Sequence, residues 1–311
     1  MKLLLSKPRG FCAGVERAIE TVEKALELWG APIYVKHEIV HNKHVVDALK
    51  AKGAIFIEDL DDVPIGARLI YSAHGVSPAV RGQAKSRNLI EIDATCGLVT
   101  RVHSAVKRFA SHGYRVILIG HKNHVEIIGT AGEAPEMTLI VESVEDVKNL
   151  TFPKDENLFY ITQTTLSLDD VREITDALIE KYPDIRTLPS SSICYATTNR
   201  QMALREITDD TDLVLVVGDP QSSNSNRLSE LASKRGIASY LINDESEIDP
   251  QWLKGVNTIG LTAGASTPEA IVQKCIQRLI ELGVKEVEDV VFTTEDVVFQ
   301  LPKPIIIGSR K

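Results

Sequence analysis

Short, uninterrupted apolar runs separated by amphipathic stretches restrict this chain more than any other feature. Candidate strands are Lys2–Ser6, Ile33–Val35, Ile55–Glu58, Arg68–Ser72, Ile90–Asp93, Arg115–Gly120, Thr138–Glu142, Leu158–Thr162, Asp212–Val217, Ala238–Ile242 and Thr258–Thr262. A strand with one wet face alternates apolar and polar residues, whereas these runs are continuous, which predicts burial on both faces in parallel sheets covered by helices. The class is α/β. Helical spacing agrees: Val15, Ala18, Ile19, Val22, Leu26 and Trp29 share one face that stops at Gly30, and Leu98, Val99, Val102, Val106 and Phe109 share another that ends by Gly113. Ser77-Pro78 and Thr267-Pro268-Glu269 read as N-cap plus first-turn proline, and Thr198-x-x-Gln201 as a capping box.

Three of the four cysteines organise this pattern. Cys12 and Cys96 each sit where an apolar strand gives way to an amphipathic helix, and Cys194 immediately precedes a helix, so the chain divides into three comparable segments. A helix N-terminus carries about +0.5 charge and unpaired N–H groups, which favour thiolate. Cys275 lies mid-helix, with Ile271 and Leu279 one turn to either side, and reads as a small core residue. A short-spaced zinc site is disfavoured because no C-x₂₋₄-C pair exists. Two readings stay open: a catalytic thiol, and an iron–sulfur cluster held by one cysteine per segment, leaving one iron open.

Polar residues recur just past the apolar strands: His37 to Asn42, Ala73-His74-Gly75, His121 to Glu126, Gln163-Thr164-Thr165, Ser222 to Asn226, and Ala263 to Ser266. Ligands of open parallel sheets bind outside the carboxyl ends of strands, where helix N-termini also point. Such groups hold a diphosphate without a Lys/Arg cluster, although any one of them alone is ordinary turn or capping chemistry. Glu126, two residues after His124, is the best proton-transfer residue if its pocket is closed, and a solvated loop carboxylate if it is not. The H-x-E pattern of zinc deaminases is rejected for want of P-C-x-x-C.

Composition sets the remaining limits. The net charge of −8 and the aromatic fraction of 5% argue against nucleic acid as a partner. No apolar stretch reaches the ~18–20 residues of a bilayer span, and Met1 to Ser6 is too short for a signal-peptide hydrophobic region. A cytoplasmic protein without membrane association is expected.

Pro8-Arg9-Gly10-Phe11-Cys12-Ala13-Gly14-Val15, Asp93-Ala94-Thr95-Cys96, Ile193-Cys194-Tyr195-Ala196-Thr197-Thr198-Asn199-Arg200-Gln201, Ser222 to Leu228 and Thr262 to Ser266 closely resemble the motifs of the 4-hydroxy-3-methylbut-2-enyl diphosphate reductase (LytB/IspH) family, in order from Lys2 to about residue 300. The resemblance implies a trefoil of three small α/β domains around a [4Fe–4S] cluster with one open iron and Cys12, Cys96 and Cys194 as ligands. With it come segments 1–95, 96–193 and 194–283, and a tail, 284–311, that packs back over the site. It implies two-electron removal of the hydroxyl of an allylic diphosphate, as the last step of the methylerythritol phosphate route, with ferredoxin or flavodoxin as electron donor. Glu126 becomes the proton donor, with Thr164 as its hydrogen-bonding partner near the substrate hydroxyl. His41, His74, His124, Ser222, Ser223, Asn224 and Ser266 become the diphosphate cradle. The family usually has proline where this chain has Gly97 and Val125. The competing class is a non-catalytic redox sensor or diphosphate-binding module using the same cysteines.

Overall fold

The computed structural model describes residues 1–309. Its strands are β1 (Lys2–Lys7), β2 (Ile33–Lys36), β3 (Ala54–Ile57), β4 (Arg68–Tyr71), β5 (Ile90–Asp93), β6 (Arg115–Ile119), β7 (Thr138–Val141), β8 (Leu158–Thr162), β9 (Leu213–Val217), β10 (Ala238–Ile242), β11 (Thr258–Ala263) and β12 (Glu286–Val291). Its α-helices are α1 (Ala13–Trp29), α2 (Lys43–Ala51), α3 (Pro78–Ser86), α4 (Gly97–Ser111), α5 (Val125–Ala131), α6 (Val144–Asn149), α7 (Leu168–Lys181), α8 (Tyr195–Thr208), α9 (Ser223–Lys234), α10 (Glu269–Glu281) and α11 (Lys303–Gly308).

The chain forms two compact units, one of residues 1–15, 41–46 and 195–298, the other of residues 16–40, 47–194 and 299 onward. The first unit holds a five-stranded sheet in the order β10-β9-β11-β1-β12. The second holds a four-stranded sheet, β3-β2-β4-β5, and a three-stranded sheet, β7-β6-β8. Every strand pairing is parallel, as the continuous apolar runs require.

The two-sided burial is visible residue by residue. In β1, Leu3 and Leu5 enter a core with Leu215, Leu261, Val272 and Cys275, while Leu4 between them enters the opposite core with Val214, Val216, Leu204 and Leu228. In β6, Val116 and Leu118 pack against Phe159 and Ile127, while Ile117 and Ile119 pack against Val141, Ile174 and Leu178.

Three expectations need correction. The segment boundaries at 95 and 193 do not isolate the first sheet, because β1 pairs with β11 and β12 and completes the sheet of the last segment. Thr198 starts no capping box, since α8 begins three residues earlier, where the Cys194 N–H donates to the Thr164 carbonyl at 3.0 Å. Thr267 is not the N-cap of α10; its hydroxyl donates to the Val217 carbonyl at 2.9 Å, and Pro268 occupies the cap. The expected tail, 284–311, begins with strand β12, and its last two positions lie outside the described residues.

Candidate functional site

In the first unit, the carboxyl ends of β1, β9 and β11 present three loops at one sheet edge. The β1 loop carries half-buried Cys12 just before α1, and its backbone is tied to the β11 loop by Gly10 N–H to Ala263 O at 3.3 Å and Cys12 N–H to Ala265 O at 3.2 Å. From α8, the fully buried Arg200 grips the same loop. Its guanidinium donates to Gly10 O at 2.7 Å and to Phe11 O at 3.2 Å, and pairs with Glu295 at 3.1 Å. Ion pairing satisfies the buried cation, and carbonyl contacts use its remaining donors. The Cys12 backbone is thus held by a residue that spacing arguments did not single out.

The β9 and β11 loops hold the predicted serines and asparagine. Ser222 caps α9, its Oγ accepting from Ser225 N–H at 3.3 Å. Asn224 Oδ1 accepts from Ala265 N–H at 2.9 Å, so this side chain fixes the turn that carries Ser266. Ser266 Oγ donates to the His41 carbonyl at 2.8 Å. Ser222, Asn224, Ser266 and His41 are buried, and Ser223 is half-buried. The loops approach so closely that a Cβ at Gly218 or Gly264 would collide with Ser225 Oγ.

In the second unit, Cys96 caps α4 without a side-chain capping bond, and its N–H donates to Ala73 O at 3.0 Å. Cys194 hangs from the β8 loop through Thr164 O. Both are half-buried. Like Cys12 in the first unit, each of these thiols stands at the start of a helix. Cys275 does not: its thiol is buried in α10 and burial pushes it up to about 12.

The histidines of this unit cluster around β4 and α5. His74 Nδ1 lies 3.2 Å from Ser72 Oγ, and the His74 ring meets those of His37 and His124 edge-on at 5.8 and 6.0 Å. His37, outside the predicted site set, adopts the left-handed φ of 60° and bonds Glu58 Oε1 through Nδ1 at 2.7 Å. His124 caps α5, with Nδ1 accepting from Glu126 N–H at 3.2 Å. That bond assigns the proton of the neutral ring to Nε2.

Glu126 is buried, which settles the open question of whether it is a solvated loop carboxylate. Thr164 N–H donates to Oε1 at 2.7 Å and Thr164 Oγ1 to Oε2 at 2.9 Å. Burial raises the carboxyl pKa above its ordinary value, and the Thr164 bonds and the nearby His103 offset only part of that rise.

Gly97 and Val125, the two positions where the resembled family has proline, are the first residues of α4 and α5. Proline is favoured there because its missing N–H costs no helical bond. Cys96 already has ψ of 137°, the conformation favoured before proline, and a Cβ on Gly97 would lie 3.4 Å from the Phe299 ring, an ordinary contact. Gly97→Pro is therefore expected to raise the melting temperature by about 1–3 °C in calorimetry. A lower melting temperature would show that the loop depends on glycine's freedom.

A family model described as LytB protein matches residues 3–280. Over 306 residues, 98% of each chain, the sequence is 83% identical to a 4-hydroxy-3-methylbut-2-enyl diphosphate reductase of Protochlamydia amoebophila, and it is 63% identical to that of Chlamydia pneumoniae over the same shares. The fold matches a solved E-1-hydroxy-2-methyl-but-2-enyl-4-diphosphate reductase from Plasmodium falciparum with a TM-score of 0.97 and 51% identity, covering 100% of this chain and 98% of that one. A second solved structure is described as (E)-4-hydroxy-3-methyl-but-2-enyl diphosphate reductase, the terminal enzyme of the non-mevalonate pathway. It matches with a TM-score of 0.64 and 30% identity, covering 90% of this chain and 99% of that one.

Proposed function

The chain belongs to the LytB protein family, and from that membership we infer that it reduces 4-hydroxy-3-methylbut-2-enyl diphosphate, the terminal step of the non-mevalonate pathway. The substrate takes up two electrons and two protons and loses its allylic hydroxyl as water, leaving isopentenyl and dimethylallyl diphosphate. The observation that carries the assignment is 83% identity along 98% of both chains, and the buried carboxyl of Glu126 supports it. No helix among the described residues is long and apolar enough to cross a membrane.

An iron–sulfur cluster accompanies the family. Cys12, Cys96 and Cys194 are its proposed ligands, their half-buried helix-start positions suiting thiolate, and a [4Fe–4S] cluster with one iron open to substrate is the proposed form. When bound, the cluster supplies the two electrons and a Lewis-acidic iron.

The chain's own residues do the rest. Glu126, whose carboxyl burial pushes above its ordinary range, is the proposed acid. The Thr164 N–H can only donate, so Oε1 accepts from it; in the neutral acid the proposed site of the proton is Oε2, and the 2.9 Å contact with the Thr164 hydroxyl then runs from Oε2–H to Oγ1, reversing when the carboxyl is ionised. Thr164 thereby orients the acid towards the substrate hydroxyl. His41, His74, His124, Ser222, Ser223, Asn224 and Ser266 form the proposed diphosphate cradle, with Asn224 fixing the turn before Ser266 and the Ser266 hydroxyl holding the His41 backbone. A ferredoxin or flavodoxin is the proposed electron donor.

Anaerobically purified protein, reconstituted with iron and sulfide, is expected to oxidise two equivalents of reduced viologen for each allylic diphosphate consumed. Saturable binding of the diphosphate without viologen oxidation would overturn this reading in favour of a sensor or binding module.

A further inference from the structure

Carboxylates are absent from one long stretch of this acidic chain. From Ala94 to Val125 there is no Asp or Glu, whereas Arg101, Lys107, Arg108, Arg115 and Lys122 all fall inside it. The loop from Ile185 to Cys194 adds Arg186, again without an acid, so Cys96 and Cys194 both lie in carboxylate-free sequence. Arg115 and Lys122 are neutralised locally, by Glu156 at 3.4 Å and Glu142 at 3.2 Å. Arg101, Lys107, Arg108 and Arg186 are exposed and make no ion pair among the described residues.

These four cations belong to α4 and the loop beside it. On α4, Thr100, Arg101, Ser104, Lys107, Arg108 and Ser111 are exposed, a stripe at intervals of three and four with no acid and no apolar side chain. Arg101 donates to the Ser190 carbonyl at 3.3 Å and to the Ser190 hydroxyl, which joins α4 to the loop leading to Cys194. At the other end, Arg108 lies over the Phe109 ring at 5.0 Å and Arg186 over the Tyr114 ring at 5.6 Å, and the two rings meet edge-on at 5.3 Å. The elements packed on α4 bring no carboxylate to this side. β6 and β8 contain none, Glu126 of α5 is buried, and Glu133 just beyond α5 meets Nδ1 of the buried His103 at 2.9 Å. The helix dipole accounts for Lys107 and Arg108 near the C-terminus of α4, but it disfavours Arg101 close to the N-terminus.

We propose that the exposed face of α4, with Arg186 beside it, is the docking surface for a small acidic electron-carrier protein. The proposal rests on the reading of the chain as a reductase fed by ferredoxin or flavodoxin, and it names where that partner binds. Charge complementarity carries it. A chain of net charge −8 repels an acidic protein as a whole, so productive encounter needs a local cationic face that selects one orientation. This face starts at Cys96, with Arg101 about 7–8 Å along the helix axis from it, and reaches the Cys194 loop through Ser190. A carrier seated there lies beside two of the three proposed ligand thiols. The serines and threonine between the cations offer nothing to bury in a bilayer, which disfavours a lipid surface as the occupant. Each encounter delivers one electron, so two reduced carriers are oxidised for each allylic diphosphate, which matches the two electrons of the proposed reduction.

Lys107→Glu/Arg108→Glu reverses two charges of the face. Lys254→Glu/Lys285→Glu makes the same change in net charge at exposed positions before β11 and β12, at the opposite edge of their sheet from the Cys12 loop. Turnover of the reconstituted proteins is measured with a reduced plant-type [2Fe–2S] ferredoxin, and separately with a reduced flavodoxin, as the sole donor. The first pair is expected to lower kcat/KM for the carrier by about tenfold or more at low ionic strength, a deficit that shrinks in about 0.5 M salt. Viologen-driven turnover, iron content and melting temperature should stay near those of the parent. Ser104→Asp, which sets a carboxylate in the middle of the stripe, should lower the carrier kcat/KM in the same sense. An unchanged carrier kcat/KM, an equal deficit in Lys254→Glu/Lys285→Glu, or a parallel fall with viologen would each overturn the proposal. A parent protein that accepts electrons from viologen but from neither carrier would also overturn it and leave the reductase reading standing. If the parent oxidises no donor in the presence of the diphosphate, the reductase reading itself fails, a distinct result.

Discussion

Replacing Glu126 by glutamine is expected to lower turnover by about 10²–10⁴-fold while iron content and diphosphate affinity stay near those of the parent. Glutamine is isosteric and its amide oxygen still accepts from Thr164 N–H, so what is lost is the proton on Oε2. Steady-state viologen oxidation and iron analysis on the same preparation check this, and unchanged turnover would remove Glu126 from the acid role. A second consequence is thermodynamic. The carboxyl pKa is raised in the fold, so the neutral form stabilises the native state at low pH, and that contribution is lost as pH rises through the folded value. Glu126→Gln should therefore gain stability relative to the parent as pH increases, visible as a melting-temperature difference that grows from acid to alkaline buffer. A difference that shrinks with pH would mean that the native state prefers the anion.

Replacing a proposed ligand has the other large effect. Cys96→Ser or Cys194→Ser is expected to leave anaerobically reconstituted protein iron-poor, with turnover reduced on the order of a hundredfold or more. Cys275→Ala supplies the contrast. Its thiol is buried in the α10 core, so this variant should keep its iron and lose only stability, by about 1 kcal/mol. Iron content that falls equally in all three variants would show that these thiols support the fold and do not hold a cluster.

Most of the fold could be read in the sequence because doubly covered strands leave a local signature. Eleven expected strands appear within a residue or so of their places, since each interior residue of a run such as Leu3-Leu4-Leu5 or Val116 to Ile119 is buried on one face or the other. β12 escaped for the same reason in reverse. Its sequence, Glu286 to Val291, is charged and mostly exposed at the sheet edge, so its place comes from pairing with β1 and not from burial. The residues proposed for the chemistry were visible near the ends of strands and the starts of helices, as at Cys12, Cys96, His124 and Thr164. Arg200, Glu295, His103 and Glu133 were not, because a buried charged group reads as surface until its partner is known. Glu295 lies far along the chain from Arg200, and nothing local to either residue announces the pair. The two failed caps have a similar origin: Thr198 and Thr267 carry good capping side chains, but Thr198 lies inside α8 and the Thr267 hydroxyl is committed to a neighbouring loop.

The pairing of β1 with β11 and β12 also bears on how the protein is made. Lys2 sits opposite Thr258 and Glu286, so the first strand waits until almost the whole chain has left the ribosome. At ~5–20 residues per second that interval is on the order of tens of seconds, during which Leu3 to Leu5 lack their sheet. The loop bearing Cys12 takes its backbone partners from Ala263 and Ala265, and so acquires its shape only then. If Cys12 holds a cofactor as proposed, its insertion there follows translation, because the loop's partners are synthesised last.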